Sequence, residues 1–300
     1  MMNVILRRKW FLGFSGILVA ASIVCVVVFG FRAGIDLKGG TRWEFSAAGI
    51  ENEGVLLVAI KEIASKDVLV NRTGGSNFIL RFSDISESEH QEYVIELTKR
   101  FGPIDEKQFS SIGPAVGMEL RKKSIWAVVA VLFGISLYVA WAFRKVSRPI
   151  RSWKYGAVTL VSLFHDVAIP AGMLAVLGRF GGVEIDTNFI VALLVVMGFS
   201  VHDTIVVFDR IRENILIMKG KQFALSDVIN KSIKETMRRS INTSLTLILV
   251  LLALIIFGPQ TLFYFVLTIL VGTVFGTYSS IFVASPLLYV WERAVSKKSA

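Results

Sequence analysis

The chain has 300 residues, of which 54% are hydrophobic and 19% charged, and its formal net charge is +10. A soluble domain contains about 45–50% apolar residues with glycine included, and this chain exceeds that range before its 24 glycines are added. The composition therefore excludes an ordinary soluble protein. The single cysteine, Cys25, excludes an internal disulfide.

Six apolar runs predict membrane-spanning helices, each of which needs about 20 apolar residues. The predicted spans are Trp10–Phe31, Ile125–Phe143, Tyr155–Leu177, Thr187–Phe208, Ile241–Phe257 and Leu262–Val290. The first run is too long for the apolar core of a signal peptide, so we interpret it as a retained anchor. The sixth run contains Pro286, which predicts a kink or an end of the helix.

Basic residues predict the orientation of the spans. With six spans, both termini and two loops lie on one side, and that side carries 19 basic and 5 acidic residues. Because cytoplasmic loops are enriched in Lys and Arg, we expect both termini in the cytoplasm and the long loop outside. Anchoring to anionic lipid of the bilayer accounts for the net charge, and a nucleic-acid partner is not expected.

The loop between the first two spans is long enough to form its own domain. We divide the chain into residues 1–31 (N-terminus and first span), residues 32–123 (extracytoplasmic domain) and residues 124–300 (remaining spans, cytoplasmic loops and C-terminal tail). Strand and helix patterns in the middle part follow the order β-α-β-β-α-β, the ferredoxin-like arrangement. The predicted fold class is a polytopic six-helix membrane bundle with a small α+β domain between helices 1 and 2.

Local signals support this order of elements. Ser86 and Glu89 have the spacing of a capping box, and the pattern that follows them ends at Gly102, which predicts a helix. The segments VLVNRT and NFILRFS flank a Gly-Gly-Ser turn, which predicts a hairpin.

Two carboxylates, Asp166 and Asp203, lie inside predicted spans, and each follows a histidine, His165 or His202. A charged side chain at mid-helix costs about 2.5–3.5 kcal/mol on insertion scales, and such residues usually face a bundle interior or a wet cavity. Burial favours the protonated carboxyl group, and a nearby cation favours the carboxylate. Arg239, where the fifth span begins, is the candidate cation for Asp203. These five residues predict a proton relay.

A structural role is the alternative for the same residues. The two acids could fix packing through hydrogen bonds between helices, although such contacts average only about 0.6 kcal/mol. Each histidine could pack or line a cavity instead of relaying protons. A metal site is not expected, because the set has no thiolate and adjacent residues on a helix point about 100° apart.

Motifs for enzymatic chemistry are missing from the sequence, which has no nucleophile elbow, zinc-protease motif or nucleotide-binding loop. We therefore expect no enzyme, no catalytic residues and no cofactor. An ion gradient is the available energy source. Protons are the expected ion, and another cation is the alternative.

Two motifs bracket the predicted extracytoplasmic domain and contain glycines, which permit close backbone approach. We interpret them as hinges, with plain linkers as the alternative. The hinge candidates in GIDLKGGTRWEF and SSIGPAVGMELRKK are Asp36, Gly39, Gly40, Gly113, Pro114 and Gly117. A third motif, DRIREN at residues 209–214, is either a solvated helix end or a docking surface.

These motifs together resemble the SecD/SecF family of the RND superfamily, and within it the SecF subunits of the Sec preprotein translocase. The similar segments, in chain order, are GIDLKGGT, IGPAVGMELR, HDVAIPAG, SVHDTIVVFDRIREN and RRSINTSLT. By this resemblance, Asp203 matches the proton-carrying acid and Arg239 its paired arginine. His165 and Asp166 match a His-Asp pair in the third span.

The resemblance implies an RND-type bundle of the bacterial inner membrane that works with SecD and uses the proton-motive force in late-stage protein export. The implied partners are SecD, the SecYEG channel, an unfolded preprotein and, as candidates, YajC and YidC. The alternatives are an ion-independent scaffold for the channel and an RND-type exporter of small molecules or lipids. His202 stands where the family usually has Asn, so it is open whether His202 tunes the relay or joins it. Leu37 stands where the opening motif usually has Phe and is more like SecD, which we interpret as sequence drift.

Overall fold

The computed structural model describes residues 3–64, 66–72, 75–144, 150–218 and 222–298, with side chains described as far as residue 294. The chain forms two compact units. The first contains Met1–Arg32, Trp126–Val183 and Asn188–Ala300, and the second contains Ala33–Ile125 and Glu184–Thr187. The short segment Glu184–Thr187 joins the second unit although the sequence division did not include it there.

All of the strands and three short helices of the same stretch of chain belong to the second unit, and the long helices before and after this stretch belong mainly to the first. The bounds of the helices and strands are α1 Arg8–Phe29, α2 Ile35–Lys38, β1 Gly40–Ser46, α3 Glu53–Ile63, β2 Val68–Arg72, β3 Asn77–Phe82, α4 Glu87–Phe101, β4 Asp105–Ile112, α5 Pro114–Ala142, α6 Ser152–Gly181, α7 Thr187–Ile217, α8 Leu225–Phe257, α9 Phe263–Ser279 and α10 Ser285–Lys298.

Six helical segments of the described residues are long and apolar enough to cross a membrane, which confirms the six predicted spans. The sixth is a continuous run in which a π-helical turn, Ser280–Ala284, joins α9 to α10. The helix continues past Pro286, so the proline does not end it. Helices α7 and α8 extend well beyond their apolar runs, because the polar segments between them keep a helical pattern of buried apolar residues.

The spanning helices differ in how much of their surface other helices cover. Helix α6 and the α9–α10 run are the most buried, whereas few residues of α1 and α5 are fully buried. Close helix contacts occur at small residues, as is typical of membrane bundles. Ser136 of α5 donates a hydrogen bond of 2.7 Å to the carbonyl oxygen of Gly156 in α6, and Gly172 of α6 lies against Ser22 of α1.

The second unit is a four-stranded antiparallel sheet in the order β2-β3-β1-β4, with α3 and α4 packed on it. The order and connections confirm the ferredoxin-like prediction. The largest fully buried side chains of its core are Trp43, Phe45, Leu56, Ile60, Phe78, Leu80, Ile85 and Leu97.

The predicted capping box is present at the start of α4. The Ser86 hydroxyl accepts a hydrogen bond from the Glu89 backbone N–H, and the Glu89 carboxylate accepts one from the Ser86 N–H. The helix ends at Gly102, whose φ of 86° favours glycine. Strands β2 and β3 pair as the predicted hairpin. Residues 73 and 74 of its turn, and residues 145–149 of the basic loop, lie outside the described residues.

Candidate functional site

Asp166 lies at the centre of a polar cluster inside the first unit. Its side chain on α6 is fully buried. One carboxylate oxygen lies 2.7 Å from His165 Nδ1. The other accepts hydrogen bonds from Ser200 of α7 and, at 2.8 Å, from Ser279 of α9. The cluster therefore joins three helices through one carboxylate.

The polar cluster continues from Ser279 to a further serine. Ser162, one turn before Asp166 on α6, donates a hydrogen bond of 3.1 Å to the Ser279 hydroxyl. The His165 ring stacks against Tyr278 with a centroid distance of 6.2 Å, and its buried Nε2 has no hydrogen-bond partner among the described residues. Hydroxyl groups can both donate and accept protons, so this cluster can adapt to either protonation state of the acid.

Two glycines of α9 bring that helix against α7. A Cβ on Gly272 would overlap the Val196 side chain, and a Cβ on Gly276 would lie 3.0 Å from Ser200 Cβ. The two glycines form a G-x-x-x-G pattern, which permits close approach of membrane helices. Ser279, which binds Asp166, comes one turn later, immediately before the π-helical turn. Such turns are frequent at functional sites.

Asp203 lies on α7 one turn after Ser200, on the same face of the helix. Its side chain is 3% exposed. Its Oδ2 atom is buried and has no hydrogen-bond partner within the described part of the chain. Ser240 of α8 lies beside the carboxylate, and its hydroxyl is buried and similarly lacks a partner. The structure thus places a buried carboxylate oxygen that lacks a well-formed hydrogen bond beside the Ser240 hydroxyl, which is the candidate donor to this carboxylate.

The predicted cation and the second histidine lie at the edge of this group. Arg239 on α8 and His202 on α7 both interact electrostatically with Asp203. Both side chains are exposed on the isolated chain. Neither forms an ion pair with Asp203 among the described residues.

The structure therefore separates the five predicted relay residues into two groups. His165 and Asp166 form the inner cluster, while Asp203, His202 and Arg239 form an outer one. Ser200 links the groups, because it contacts Asp166 and precedes Asp203 by one turn. No three His, Cys, Asp or Glu side chains of the described residues meet as a metal site would require.

Sequence reasoning missed the serines Ser162, Ser200, Ser240 and Ser279. A lone serine is common in a spanning helix, so its identity alone gives no signal. A usable signal was the G-x-x-x-G pattern at Gly272, which marks the face of α9 that also carries Ser279.

The predicted hinge residues lie close together within the second unit. A Cβ on Gly39 would lie 2.5 Å from Pro114 Cα, and a Cβ on Gly117 would overlap the Gly39 backbone. Gly39 and Gly40 have φ angles of 82° and 125°, which favour glycine. Gly113 accepts the backbone hydrogen bond of Gly117 in the first turn of α5. The opening and closing motifs thus pack backbone against backbone.

Asp36 of the opening motif binds the residue with which α7 begins. Its Oδ2 accepts hydrogen bonds from the Thr187 backbone N–H at 3.2 Å and from the Thr187 hydroxyl at 2.6 Å. Backbone N–H groups in the first turn of a helix lack partners within the helix, and Asp36 satisfies one of them.

Residues 209–214 pack against the polar start of α8. Arg210 forms ion pairs of 2.6 Å with Glu235 and with Glu213. The buried Asn214 donates hydrogen bonds to Ser232 and Glu235 at 2.9 and 2.8 Å. The segment is therefore partly a joint between α7 and α8.

Comparison with known proteins points to one family. A family model described as "Protein export membrane protein SecD/SecF, C-terminal" matches residues 93–294. The chain is 41% identical over 304 residues to "Protein translocase subunit SecF" of Thermobaculum terrenum, covering 97% of this chain and 94% of the relative.

Two solved structures are also similar. The crystal structure of SecDF, a translocon-associated membrane protein from Thermus thermophilus, superimposes with a TM-score of 0.81 and 32% identity over 97% of this chain. A crystal structure of SecDF in a super-membrane-facing form gives a TM-score of 0.70 and 30% identity over 99% of this chain. The chain spans 39% and 40% of the lengths of those two chains.

Proposed function

Since the chain belongs to the SecD/SecF family of protein-export membrane proteins, we propose that it acts as a SecF-type translocase subunit together with a SecD partner. Family membership confirms the resemblance that the sequence motifs indicated. This chain matches only 39% of the length of one SecDF chain, which supports a SecD partner. In the proposed assembly, the SecD part comes from a separate protein. The expected further contacts are the SecYEG channel, an emerging unfolded preprotein and, as candidates, YajC and YidC.

Proton-motive force drives the proposed activity, and Asp203 carries the proton. The supporting observation is the buried Asp203 Oδ2, which lacks a partner among the described residues. A buried polar atom without a partner costs about 1–3 kcal/mol, and more when it is charged. Binding and release of a proton at Asp203 therefore change the stability of its surroundings.

Helix α7 is the element that we propose responds to this proton. It carries Asp203 and, about 24 Å away along the helix axis, begins at Thr187, which Asp36 holds. A shift of α7 would then act directly on the opening motif of the sheet domain. The motion would let that domain bind and release an emerging chain on the outer side of the inner membrane.

The test is proton-gradient-dependent completion of preprotein export in vesicles that carry Asp203→Asn. Loss of the proton-carrying group should remove the gradient-stimulated part of export, because an amide side chain cannot bind and release a proton near neutral pH. Asp209→Asn is the matched control, because Asp209 lies on the same helix but is exposed and pairs with Arg212 at 3.0 Å. Equal export by folded Asp203→Asn and wild-type protein would overturn the relay.

A scaffold without ion coupling is the second candidate. The observation that favours it is Asp166, whose carboxylate has partners on three helices and so has a complete structural role. In that case Asp203→Asn would leave export unchanged while deletion of the chain would impair it.

A further inference from the structure

A cavity of about 460 Å³ lies between the beginning of α1 and the end of α10. Its lining residues are Arg8, Lys9, Leu12, Val290, Arg293 and Ala294. Three are cationic and three apolar, and none is acidic. The cavity belongs to the first unit and lies at the end of the bundle that carries both termini.

The cations of this cavity have no counter-charge. No carboxylate among the described residues forms an ion pair with Arg8, Lys9 or Arg293. The neighbouring Glu292 forms an ion pair of 2.7 Å with Lys154 instead. Three uncompensated cations in one cavity repel one another and favour a bound anion.

The start of α1 adds to the positive potential. Its first turn contains no acidic residue, and its N-cap, Arg7, makes no side-chain capping bond. The helix dipole therefore places further positive potential beside Arg8 and Lys9. Basic side chains at this end of a helix are unfavourable unless an anion is present.

Arg8 is also held in place for an anion. Its guanidinium lies 5.3 Å from the centroid of the Tyr289 ring and donates one hydrogen bond of 2.8 Å to the Ile5 carbonyl oxygen. A guanidinium has five N–H donors, so most remain available. Arg293 follows Tyr289 by four residues and lies on the same face of α10.

Polarity changes along the cavity in the direction of the helix axes. Leu12 lies one turn farther into the span than Arg8, and Val290 lies about one turn farther in than Arg293. The cationic groups therefore lie toward the helix ends, and the larger apolar side chains, Leu12 and Val290, lie toward the membrane interior. A phospholipid has the same order, with its phosphate at the surface and its acyl chains below.

We propose that this cavity binds one anionic phospholipid, with its phosphate between Arg8, Lys9 and Arg293 and its acyl chains against Leu12 and Val290. The phosphate of the bound lipid neutralises the positive charge at the start of α1. The lipid also bridges α1 and α10, the first and last helices of the bundle. This site is independent of the proton relay, because it shares no residue with it.

Native mass spectrometry of the full chain with phosphatidylglycerol or phosphatidylcholine tests the proposal. Wild-type protein should retain one phosphatidylglycerol at least about tenfold more strongly than phosphatidylcholine, since each basic residue at a membrane surface contributes about 1 kcal/mol. Arg8→Gln with Arg293→Gln should abolish this preference, whereas Arg8→Lys with Arg293→Lys should keep most of it. Equal retention of both lipids by wild-type protein would overturn the site.

The matched control removes the same charge elsewhere, through Arg151→Gln with Lys234→Gln. These exposed residues do not line the cavity, so the preference should persist. An equal loss in the control would show diffuse attraction and overturn the proposal. Displacement of the lipid by its free headgroup, glycerophosphoglycerol, would identify a site for soluble anions and would also overturn it.

A photoactivatable phosphatidylglycerol gives a second readout that needs no variant. Its cross-links on wild-type protein should map to the peptides that contain Leu12 and Val290. Cross-links confined to other peptides would contradict the site even if the double Gln variant did not fold.

Discussion

Asp166 and Asp203 are both buried acids, but their surroundings differ. Asp166 has partners on α6, α7 and α9, whereas Asp203 Oδ2 has none among the described residues. A satisfied network rigidifies its neighbours, and an unsatisfied group is costly. Asp166 is therefore suited to hold the helices together, and Asp203 is suited to change its state.

A carboxylate in the sheet domain provides a pH-dependent prediction. The Ser86 backbone N–H and the Lys66 ammonium group lower the pKa of Glu89 from 4.5 to about 2. A group whose folded pKa is depressed stabilises the fold above its unfolded pKa and loses that effect as the pH falls toward the folded value. Glu89→Gln should therefore destabilise α4 at pH 7, and the difference from wild type should fade between pH 4.5 and about 2.

Peptide-resolved hydrogen exchange of the full chain in detergent, at pH 7 and after incubation near pH 3, measures this difference. The control is Glu92→Gln on the same helix, because Glu92 is exposed and forms no ion pair among the described residues. A difference of constant size at both pH values would contradict the assignment to Glu89.

The sequence identified both acids and the neighbouring His165, but not the serines that contact the acids. Charge inside an apolar run is a strong signal because it is costly. Ser200 and Ser279 give no such signal, since a hydroxyl in a span can bond to its own helix. Their role depends on which helices meet, and the spacing along one helix does not contain that information.

The close packing of α9 against α7 at Gly272 can be tested by a substitution. Gly272→Ala would place a methyl group where the Val196 side chain lies, so α9 must move away from α7. Overpacking of this kind costs about 1–3 kcal/mol. The variant should unfold at lower temperature than wild type in detergent. Gly134→Ala in α5 is the control, because nothing lies within 4 Å of its added Cβ. It should be neutral or slightly stabilising, and equal losses in both variants would contradict the contact.

The lengths of α7 and α8 show what apolar runs can predict about elements. The apolar runs predicted the membrane spans, because about 20 apolar residues are needed to cross a membrane. The apolar runs did not predict that α7 continues to Ile217 or that α8 begins at Leu225. Ion pairs such as Arg210 with Glu235 stabilise these polar extensions. The π-helical turn at Ser280–Ala284 was also not predicted, because no spacing of apolar residues distinguishes it from an α-helix.

Orientation in the membrane provides a prediction for the whole molecule. Because basic residues are concentrated on the side of the termini, a cysteine at position 61 in the sheet domain should face outward and one at position 222 inward. The background is Cys25→Ala, which removes the single cysteine. A membrane-impermeant maleimide should label Lys61→Cys in intact spheroplasts and Gln222→Cys only after permeabilisation. The reverse pattern would contradict the orientation.

The order of helices and strands could be predicted from the sequence. The inclusion of Glu184–Thr187 in the sheet domain could not. Capping at Ser86 and the hairpin pattern are local, so a sequence shows them. The contact of Asp36 with Thr187 joins residues far apart in the chain, and no local pattern indicates it. The second unit therefore includes Glu184–Thr187 for a reason that only the folded structure shows.

The contact between Gly272 and Val196 has a consequence for insulation. On the side of Ser200 that leads toward Thr187, the buried side chains include an apolar cluster of Ala192, Leu251, Val266 and Ile269, beside the buried hydroxyls of Thr268 and Thr273. Close packing of mainly apolar side chains leaves little room for a continuous file of water molecules, along which a proton could cross. Under the proposed proton coupling, this cluster would limit the leakage of protons between Ser200 and the end of α7 at Thr187.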